Sequence, residues 1–206
     1  MHNRAISITA EKIEKKFGNT LLFSNINFNL AKGDSFYITG PNGSGKSTLL
    51  QILAGIQKPT SGSIIYSSDN SIIERDDYKN FFGFTGPQVN PYDMLTAAEN
   101  LMFTSSENAD ENLINEYLGK FGLYRHRNKP VKFYSSGMKQ RLRLIHALID
   151  NHEILMLDEP CSNLDTNGRD ILYKILGEIK INKMIIIATN ESGDINLCAK
   201  GINLEQ

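Results

Sequence analysis

The fold of this chain follows from one segment, residues 40–48, which reads Gly40-Pro41-Asn42-Gly43-Ser44-Gly45-Lys46-Ser47-Thr48. The segment fits the phosphate-loop pattern G-x-x-x-x-G-K-[ST]. The apolar stretch at residues 35–39 predicts a strand before it, and residues 46–54 carry the apolar spacing of a helix after it. A strand, a glycine-rich turn and a helix in this order direct backbone N–H groups at phosphate oxygens, beside the positive end of the helix. The segment therefore predicts a nucleotide site in an α/β fold, rather than a chance glycine-rich turn.

Single residues of the loop have predicted tasks. Glycine is needed where the backbone approaches the phosphates closely or adopts a positive φ. Lys46 is expected to bridge the β- and γ-phosphates, and Ser47 is expected to ligate Mg²⁺. The backbone N–H groups of residues 43–48 would supply the remaining contacts to phosphate oxygens.

Two adjacent acids, Asp158 and Glu159, follow an apolar run at residues 154–157. In a parallel sheet, the carboxyl end of such a buried strand lies beside the phosphate loop. Asp158 is therefore predicted to hold Mg²⁺ through its water shell. Glu159 is placed to orient or deprotonate the water that attacks the γ-phosphate. The alternative is a solvated acidic turn, which the four apolar residues before it argue against.

Composition restricts the class of protein. The 206 residues suffice for one large domain, and a net charge of −1 gives no bulk attraction to nucleic acid or to an anionic membrane. No apolar run approaches the roughly 20 residues that span a bilayer, and the first residues lack the apolar centre of a signal peptide. We therefore expect a cytoplasmic protein that binds no nucleic acid. The two cysteines, Cys161 and Cys198, are too few and too far apart for a metal site.

Strand and helix patterns alternate along the chain. Alternating polarity predicts a β-rich region over residues 5–38, and apolar runs predict buried strands at 154–157 and 184–188. A last strand is expected near residues 201–204, with no regulatory domain after it. Such alternation predicts a parallel sheet with helices packed against it. Helical spacing occurs over residues 95–103, 111–121, 135–149 and 166–180.

A third motif resembles the signature of one protein family, usually Leu-Ser-Gly-Gly-Gln before a basic helix, and it reads Tyr134-Ser135-Ser136-Gly137-Met138-Lys139-Gln140-Arg141. Ser135 and Gly137 match that signature. With the phosphate loop and the acidic pair in the family's order, essentially the whole chain resembles the nucleotide-binding domain of ATP-binding cassette (ABC) ATPases. The resemblance implies a single domain over residues 1–206. It also implies an α/β fold, in which a P-loop NTPase core with a parallel sheet carries an N-terminal antiparallel β subdomain and an inserted α-helical subdomain at approximately residues 89–142.

The resemblance also implies ligands and partners. ATP would occupy the phosphate loop together with Mg²⁺, and Ser47, Gln88 and Asp158 would hold the metal ion. Ser135 and Gly137 would contact ATP held by a second subunit. This implies a head-to-tail dimer, either a homodimer or a heterodimer with a paralogue. The alternative for Ser135 is an ordinary helix N-cap.

Two further positions resemble binding residues of the family. Phe17 lies where the family places an aromatic side chain that stacks on adenine, although it could instead be a core residue of the β-rich region. Gln88 matches the glutamine that ligates Mg²⁺ and senses the γ-phosphate, and its alternative is a polar loop residue. Residues 162–165 resemble the loop that crosses the dimer interface. The surface just after Gln88 resembles the one that receives helices of the membrane subunit.

One position departs from the family pattern. Thr189 is followed by Asn190, where the family usually has a histidine that contacts the γ-phosphate. Asn190 can donate a hydrogen bond, but it is shorter and cannot carry a proton. Because losing one well-placed donor costs roughly 10²–10³ in rate, we expect slow but real hydrolysis with Lys46 and Glu159 intact. Alternatively, Asn190 replaces the histidine adequately.

The resemblance implies an ATP-binding and ATP-hydrolysing subunit that powers a separately encoded membrane permease from the cytoplasmic face of the membrane. The short chain and the signature without its first glycine are similar to the ATPases of haem exporters. Two alternatives stay open: a soluble ABC ATPase without a transport role, and an ATP-gated clamp whose hydrolysis is nearly lost through Asn190. His146, His152 and Cys161 are expected to be surface or packing residues rather than catalytic ones.

Overall fold

The computed structural model describes residues 5–69, 71–105 and 110–205. Residues 1–4, which belong to the stretch inspected for a signal peptide, and residues 106–109 of the expected helical insertion lie outside the described part. The described residues form nine strands, which are β1 (Ile6–Phe17), β2 (Thr20–Ala31), β3 (Ser35–Thr39), β4 (Ser61–Ser68), β5 (Ser71–Ile73), β6 (Phe82–Thr85), β7 (Ile154–Asp158), β8 (Met184–Ala188) and β9 (Lys200–Asn203). They also form six α-helices, which are α1 (Lys46–Leu53), α2 (Ala97–Thr104), α3 (Glu111–Lys120), α4 (Ser136–Ile149), α5 (Thr166–Ile179) and α6 (Ser192–Asn196).

Four strands form an antiparallel sheet in the order β2-β1-β4-β5. A tight turn joins β1 to β2 and places Phe17 opposite Thr20. Ile6, Ile8 and Ala10 of β1 are buried, because alternate side chains of a strand share one face and that face packs on the core. An irregularity in the register between Ala10 and Ile13 returns Ile13 to the buried face. The predicted N-terminal β-rich region is therefore confirmed. β5 is an additional strand, and its three residues are too few to show a strand pattern in the sequence.

Five strands form a parallel sheet in the order β6-β7-β8-β3-β9. β7 and β8 are buried along their whole length, because both faces of this sheet are covered. Ile154 and Met156 point into one core with α1 and the antiparallel sheet, whereas Leu155 and Leu157 point into the other with α4 and α5. This arrangement confirms the predicted α/β core and its buried strands.

The helical insertion packs on the second of these cores. Leu101 of α2, Leu118 of α3 and Leu142 of α4 belong to the same buried cluster. α2 begins at Ala97, two residues later than the apolar spacing suggests, because Thr96 and Glu99 form a capping box. The insertion's boundaries at approximately residues 89–142 stay a prediction. None of the helices in the described ranges is long and apolar enough to cross a membrane.

The parallel sheet positions the functional segments. The carboxyl ends of β3, β7 and β8 lie at one edge of the sheet, because the three strands are neighbours and run in the same direction. β3 leads into the phosphate loop, β7 ends at Asp158, and Asn190 follows β8 after one residue. Segments distant in sequence thus meet where α/β sheets bind their ligands.

Candidate functional site

Two glycines shape the phosphate loop between β3 and α1. Gly45 is the N-cap of α1 with a φ of 101°, and Gly40 has a φ of 146°. A Cβ atom on Gly45 would lie 2.6 Å from Leu22 Cδ2, and one on Gly40 would lie 2.7 Å from Ser44 Oγ. Both positions exclude a side chain, through backbone conformation and through contact. The first turn of α1 leaves backbone N–H groups without intrahelical partners, which suits an anionic ligand.

Lys46 lies inside its own loop. Its side chain is buried, and Nζ donates hydrogen bonds to the carbonyl oxygens of Gly40 at 2.8 Å and Pro41 at 3.3 Å. These two bonds hold the ammonium group at the loop. Its bonds to phosphate oxygens would be charge-assisted and shorter than those to neutral carbonyls.

A cleft of about 390 Å³ opens in front of the loop. Phe17, at the end of β1, is 54% exposed, and the Lys15 ammonium lies 5.0 Å from the centroid of its ring. Phe17 is therefore not a core residue of the sheet, and that alternative is wrong. Its role in stacking on adenine stays a prediction. The residues that line the cleft are Phe17, Leu22, Asn42, Gly43, Gly45, Lys46, Ser47, Thr48 and Glu159.

Ser47 and Asp158 come together at the start of α1 and the end of β7. Ser47 Oγ donates a hydrogen bond to Asp158 Oδ1 at 3.0 Å. Burial raises the pKa of Asp158, while the Ser47 hydrogen bond and the nearby Lys46 charge lower it. A hydroxyl and a carboxylate oxygen in contact are hard donors of the kind that Mg²⁺ prefers. The two residues present therefore fit this metal ion.

Gln88 lies beside α1 but not among the residues that line the cleft. It is exposed, and its Oε1 accepts a hydrogen bond from Gln51 Nε2 at 3.0 Å. Gln51 is four residues after Ser47 and so occupies the same helix face one turn on. The contact holds the Gln88 amide one turn away from Ser47. The sequence interpretation missed Gln51, although its spacing from Ser47 on a predicted helix is a readable signal.

Glu159 occupies a strained turn directly after β7. Its φ is 50°, and its backbone N–H donates to the Ala188 carbonyl oxygen at 2.8 Å. The side chain is half-buried and lines the cleft with Lys46. Burial is the main cause that raises the pKa of Glu159, the Lys46 charge opposes it, and the negative charges of Asp158, Asp194 and Glu191 add to the rise. A carboxylate whose pKa is raised is suited to accept a proton.

Asn190 touches the phosphate loop itself. Its Oδ1 accepts hydrogen bonds from Thr39 Oγ1 at 3.2 Å and from the Gly40 N–H at 3.4 Å, and its Nδ2 is 3.5 Å from Asn42 Oδ1. The side chain is exposed. The structure therefore places Asn190 at the base of the loop, with its Oδ1 bonded to the loop and one of its two N–H donors facing Asn42.

The signature residues lie outside the cleft. Ser135 is exposed and is the N-cap of α4, with its Oγ accepting a hydrogen bond from the Met138 N–H at 3.2 Å. A Cβ atom on Gly137 would lie 2.9 Å from the Asn163 carbonyl oxygen. The signature therefore packs on the loop after Glu159, and the exposed start of α4 offers its N–H groups to a molecule other than this chain's own cleft ligand.

The remaining candidates are packing residues. Burial lowers the pKa of His146 to about 4, and its Nδ1 is 2.7 Å from Thr104 Oγ1. Cys161 is fully buried, and burial raises the pKa of its thiol to about 12, so it is an inert thiol as expected. His152 is half-buried, with Nε2 3.9 Å from Asp150 Oδ2. None of these three side chains lines the cleft.

The chain is similar to known proteins in sequence and in fold. A family model described as ABC transporter matches residues 23–162. The chain is 35% identical over 181 residues to the lantibiotic transport ATP-binding protein SrtF of Streptococcus pyogenes, which covers 87% of this chain and 78% of that protein. It is 31% identical over 189 residues to the cytochrome c biogenesis ATP-binding export protein CcmA of Nitrosomonas europaea, and this match covers 89% of this chain and 88% of that protein. The fold matches a solved dimeric structure of the ATP-binding cassette MJ0796, in a post-hydrolysis state bound to ADP and Pi, with a TM-score of 0.82 and 27% sequence identity. The match covers 96% of this chain and 94% of that chain.

Proposed function

The chain belongs to the ABC transporter family of ATP-binding proteins, and from this we propose how its own residues bind and hydrolyse ATP. It is an ATP-binding, ATP-hydrolysing subunit. The observation that carries the assignment of roles is the convergence of Lys46, Ser47 and Glu159 on one cleft. The names of the relatives, which include transport and export proteins, favour a transporter subunit over the soluble alternative.

Binding of ATP uses the loop and the wall of the cleft. The N–H groups of residues 43–48 and the Lys46 ammonium hold the phosphates, since the start of α1 and a positive charge both favour an anion. Phe17 stacks on the adenine base, for which its exposed ring at the cleft wall is suited. Ser47, Asp158 and Gln88 would hold Mg²⁺, since the first two are in contact and the Gln88 amide oxygen, now bonded to Gln51, is a hard donor of the same kind. When bound, the ion would neutralise charge on the β- and γ-phosphates.

Hydrolysis depends on positioning and electrostatics more than on covalent chemistry. Glu159 orients the attacking water and accepts its proton, because its carboxylate faces the cleft and its pKa is raised. Lys46 stabilises the charge that develops on the transferred phosphoryl group. Asn190 donates a hydrogen bond near the γ-phosphate, but its side chain is shorter than that of histidine and its Oδ1 is held at the base of the loop by the Gly40 N–H. Turnover is therefore slow, as the replacement of histidine predicts.

Ser135 and Gly137 complete the site of a second subunit. Both lie outside their own cleft, and the helix start that they form is exposed. A head-to-tail dimer brings this helix start to the γ-phosphate held by the partner subunit. The related cassette MJ0796, which is dimeric, supports this arrangement. Two copies of this chain, or one copy and a paralogue, satisfy the geometry equally.

The membrane subunit docks on an exposed apolar patch formed by Tyr92, Met94, Met102 and Phe103. These side chains are 53%, 72%, 55% and 69% exposed, and the rings of Tyr92 and Phe103 meet edge to face at 5.4 Å. Exposed apolar clusters mark protein interfaces, and methionine adapts to a partner surface. The patch follows Gln88, and Arg143 anchors the intervening loop through hydrogen bonds of 2.7 Å to Val89 and Asn90. A permease helix seated here would attach the subunit to the cytoplasmic face of the membrane.

The first experiment is ATP turnover by the purified chain with Mg²⁺, beside Glu159→Gln, while dimerisation is followed by light scattering. We expect turnover to be lost in the variant and an ATP-bound dimer to accumulate. Equal turnover in both proteins would contradict the role of Glu159.

The docking patch is tested separately, by affinity capture from detergent-solubilised membranes. We expect Met94→Asp to lose a captured protein with several membrane spans, whereas Ile181→Asp, at a 75% exposed position outside the patch, retains it. Equal capture by both variants would rule out this docking surface.

A further inference from the structure

Asp194 is a fully buried carboxylate to which the roles above assign no function. Its Oδ2 accepts a hydrogen bond from Thr189 Oγ1 at 2.7 Å, and its Oδ1 accepts one from Cys161 Sγ at 3.0 Å. A carboxyl group in this position is costly unless its oxygens are satisfied. Both of its oxygens are used, and each is used by a different segment of the active site.

The two donors flank the proposed catalytic residues. Cys161 lies two residues after Glu159, and Thr189 lies directly before Asn190. Thr189 Oγ1 also accepts a hydrogen bond from the Glu191 N–H at 3.0 Å, which closes the turn around Asn190. The Asp194 side chain therefore joins the turn that carries the proposed base to the turn that carries the proposed γ-phosphate donor.

The surroundings of Asp194 leave little room for another arrangement. Tyr173 of α5 places its hydroxyl 3.3 Å from Cys161 Sγ, and a Cβ atom on Gly193 would lie 2.5 Å from that hydroxyl oxygen. Burial raises the pKa of Cys161 to about 12 and raises that of Tyr173 as well. Both groups therefore keep their protons at neutral pH, and the thiol stays a donor to the carboxylate.

We propose that Asp194 is a positioning residue for ATP hydrolysis, whose carboxylate fixes Glu159 relative to Asn190 by holding Cys161 and Thr189. This inference rests on the roles proposed for Glu159 and Asn190. Independently of Asp194, the Glu159 N–H donates a hydrogen bond to the Ala188 carbonyl oxygen. This bond joins the same two turns through the backbone. The backbone bond fixes the relative position of the two strand ends, and Asp194 fixes the relative position of the loops that follow them. Small displacements of catalytic groups in these loops have large effects on rate.

The test compares Asp194→Asn with the unmodified protein. Asparagine keeps the size of the side chain but replaces one acceptor oxygen by an N–H donor, so one of the two hydrogen bonds is lost. We expect kcat to fall on the order of 10–100-fold, with KM and the affinity for a fluorescent ATP analogue unchanged. Asp34→Asn is the matched control, because Asp34 pairs with Lys200 at 2.8 Å at the opposite end of β3. Full kcat in folded Asp194→Asn would overturn the proposal.

Cys161 provides a second comparison that does not require a change at Asp194. Cys161→Ser keeps a donor to the carboxylate and is expected to retain kcat, whereas Cys161→Ala removes the donor and is expected to lower it. Combining Cys161→Ala with Asp194→Asn should lower kcat less than the product of the two single effects, because both changes weaken the same link between the two turns. Equal kcat in Cys161→Ser and Cys161→Ala would count against the proposal.

Two controls separate this inference from its premise and from a loss of stability. Thermal melting of each variant gives the folded fraction, and a purely structural role predicts a lower Tm with unchanged kcat per folded molecule. Glu159→Gln is measured in parallel. Turnover retained in Glu159→Gln would overturn the base assignment, whereas an inactive Glu159→Gln with a fully active Asp194→Asn would overturn only the positioning role.

Discussion

Ser47 Oγ and Asp158 Oδ1, which belong to residues 111 positions apart, are joined by a hydrogen bond of 3.0 Å. This bond links the first turn of α1 to the end of β7. The carboxylate is buried, and burial raises its pKa despite the Ser47 hydrogen bond and the Lys46 charge. Burial thus disfavours the ionised form of Asp158 in the folded protein, as is common for carboxylates at functional sites.

Asp158→Asn should stabilise the protein while it lowers activity. The pKa of Asp158 is raised in the folded state, so the folded protein gains stability as pH falls through that pKa and loses this stability as pH rises. At pH 7 the ionised carboxylate therefore destabilises the fold, and a neutral amide at this position removes that loss. We expect a gain on the order of 1 kcal/mol, or about 2–4 °C in Tm, and a turnover lowered roughly 10–100-fold. Calorimetry measures the expected rise in Tm, and assays of Mg²⁺-dependent turnover measure the expected fall in rate. A lower Tm would show that the Ser47 contact outweighs burial.

The fall in turnover at low pH, the acid limb of the pH–rate profile, should follow the protonation of Glu159. A general base must be ionised, so turnover rises with pH through its pKa and levels off above it. Because burial raises the pKa of Glu159, we expect the limb above pH 4.5, the ordinary value. Glu191→Gln removes one of the charges that add to the rise and should move the limb to lower pH. If the acid limb of the kcat/KM profile lies at the same pH in Glu191→Gln as in the unmodified protein, the assignment of Glu159 as the general base is contradicted.

Asn190→His should raise turnover by about tenfold or more, because an imidazole donor reaches further than an amide and one such donor contributes roughly 10²–10³. Asn190→Ala is the control and should lower turnover without altering ATP affinity. Steady-state kinetics under saturating ATP and Mg²⁺ give both values. If Asn190→His leaves the rate unchanged, Asn190 already replaces the histidine adequately.

Gly45→Ala should destabilise the fold by about 2 kcal/mol or more, because the new Cβ meets Leu22 at 2.6 Å in a left-handed backbone conformation. Gly18→Ala is the matched control. Gly18 also has a positive φ, of 57°, but no atom lies within 4 Å of an added Cβ, so its cost should be about 1 kcal/mol. Chemical denaturation measures the difference, and equal costs would show that contact with Leu22 is relieved by movement.

The residues that the sequence predicts best are those whose signal is local. Gly40 to Thr48 and the pair Asp158 and Glu159 are readable because glycine spacing and apolar runs fix both the turn and its neighbouring strand. The contacts of Gln51 with Gln88 and of Cys161 with Asp194 were not predicted. They join residues 37 and 33 positions apart, and their meeting depends on strand order and on side-chain direction rather than on any local pattern.

The position of Lys46 has a consequence for the interval between nucleotides. Its ammonium is already bonded to the Gly40 and Pro41 carbonyl oxygens, so departure of a nucleotide leaves no unsatisfied cation behind. Exchange of ADP for ATP then substitutes one set of oxygen acceptors of the ammonium group for another. The phosphates of an incoming nucleotide therefore compete with two carbonyl oxygens for this ammonium group, and part of their attraction to it is offset by the contacts that it gives up.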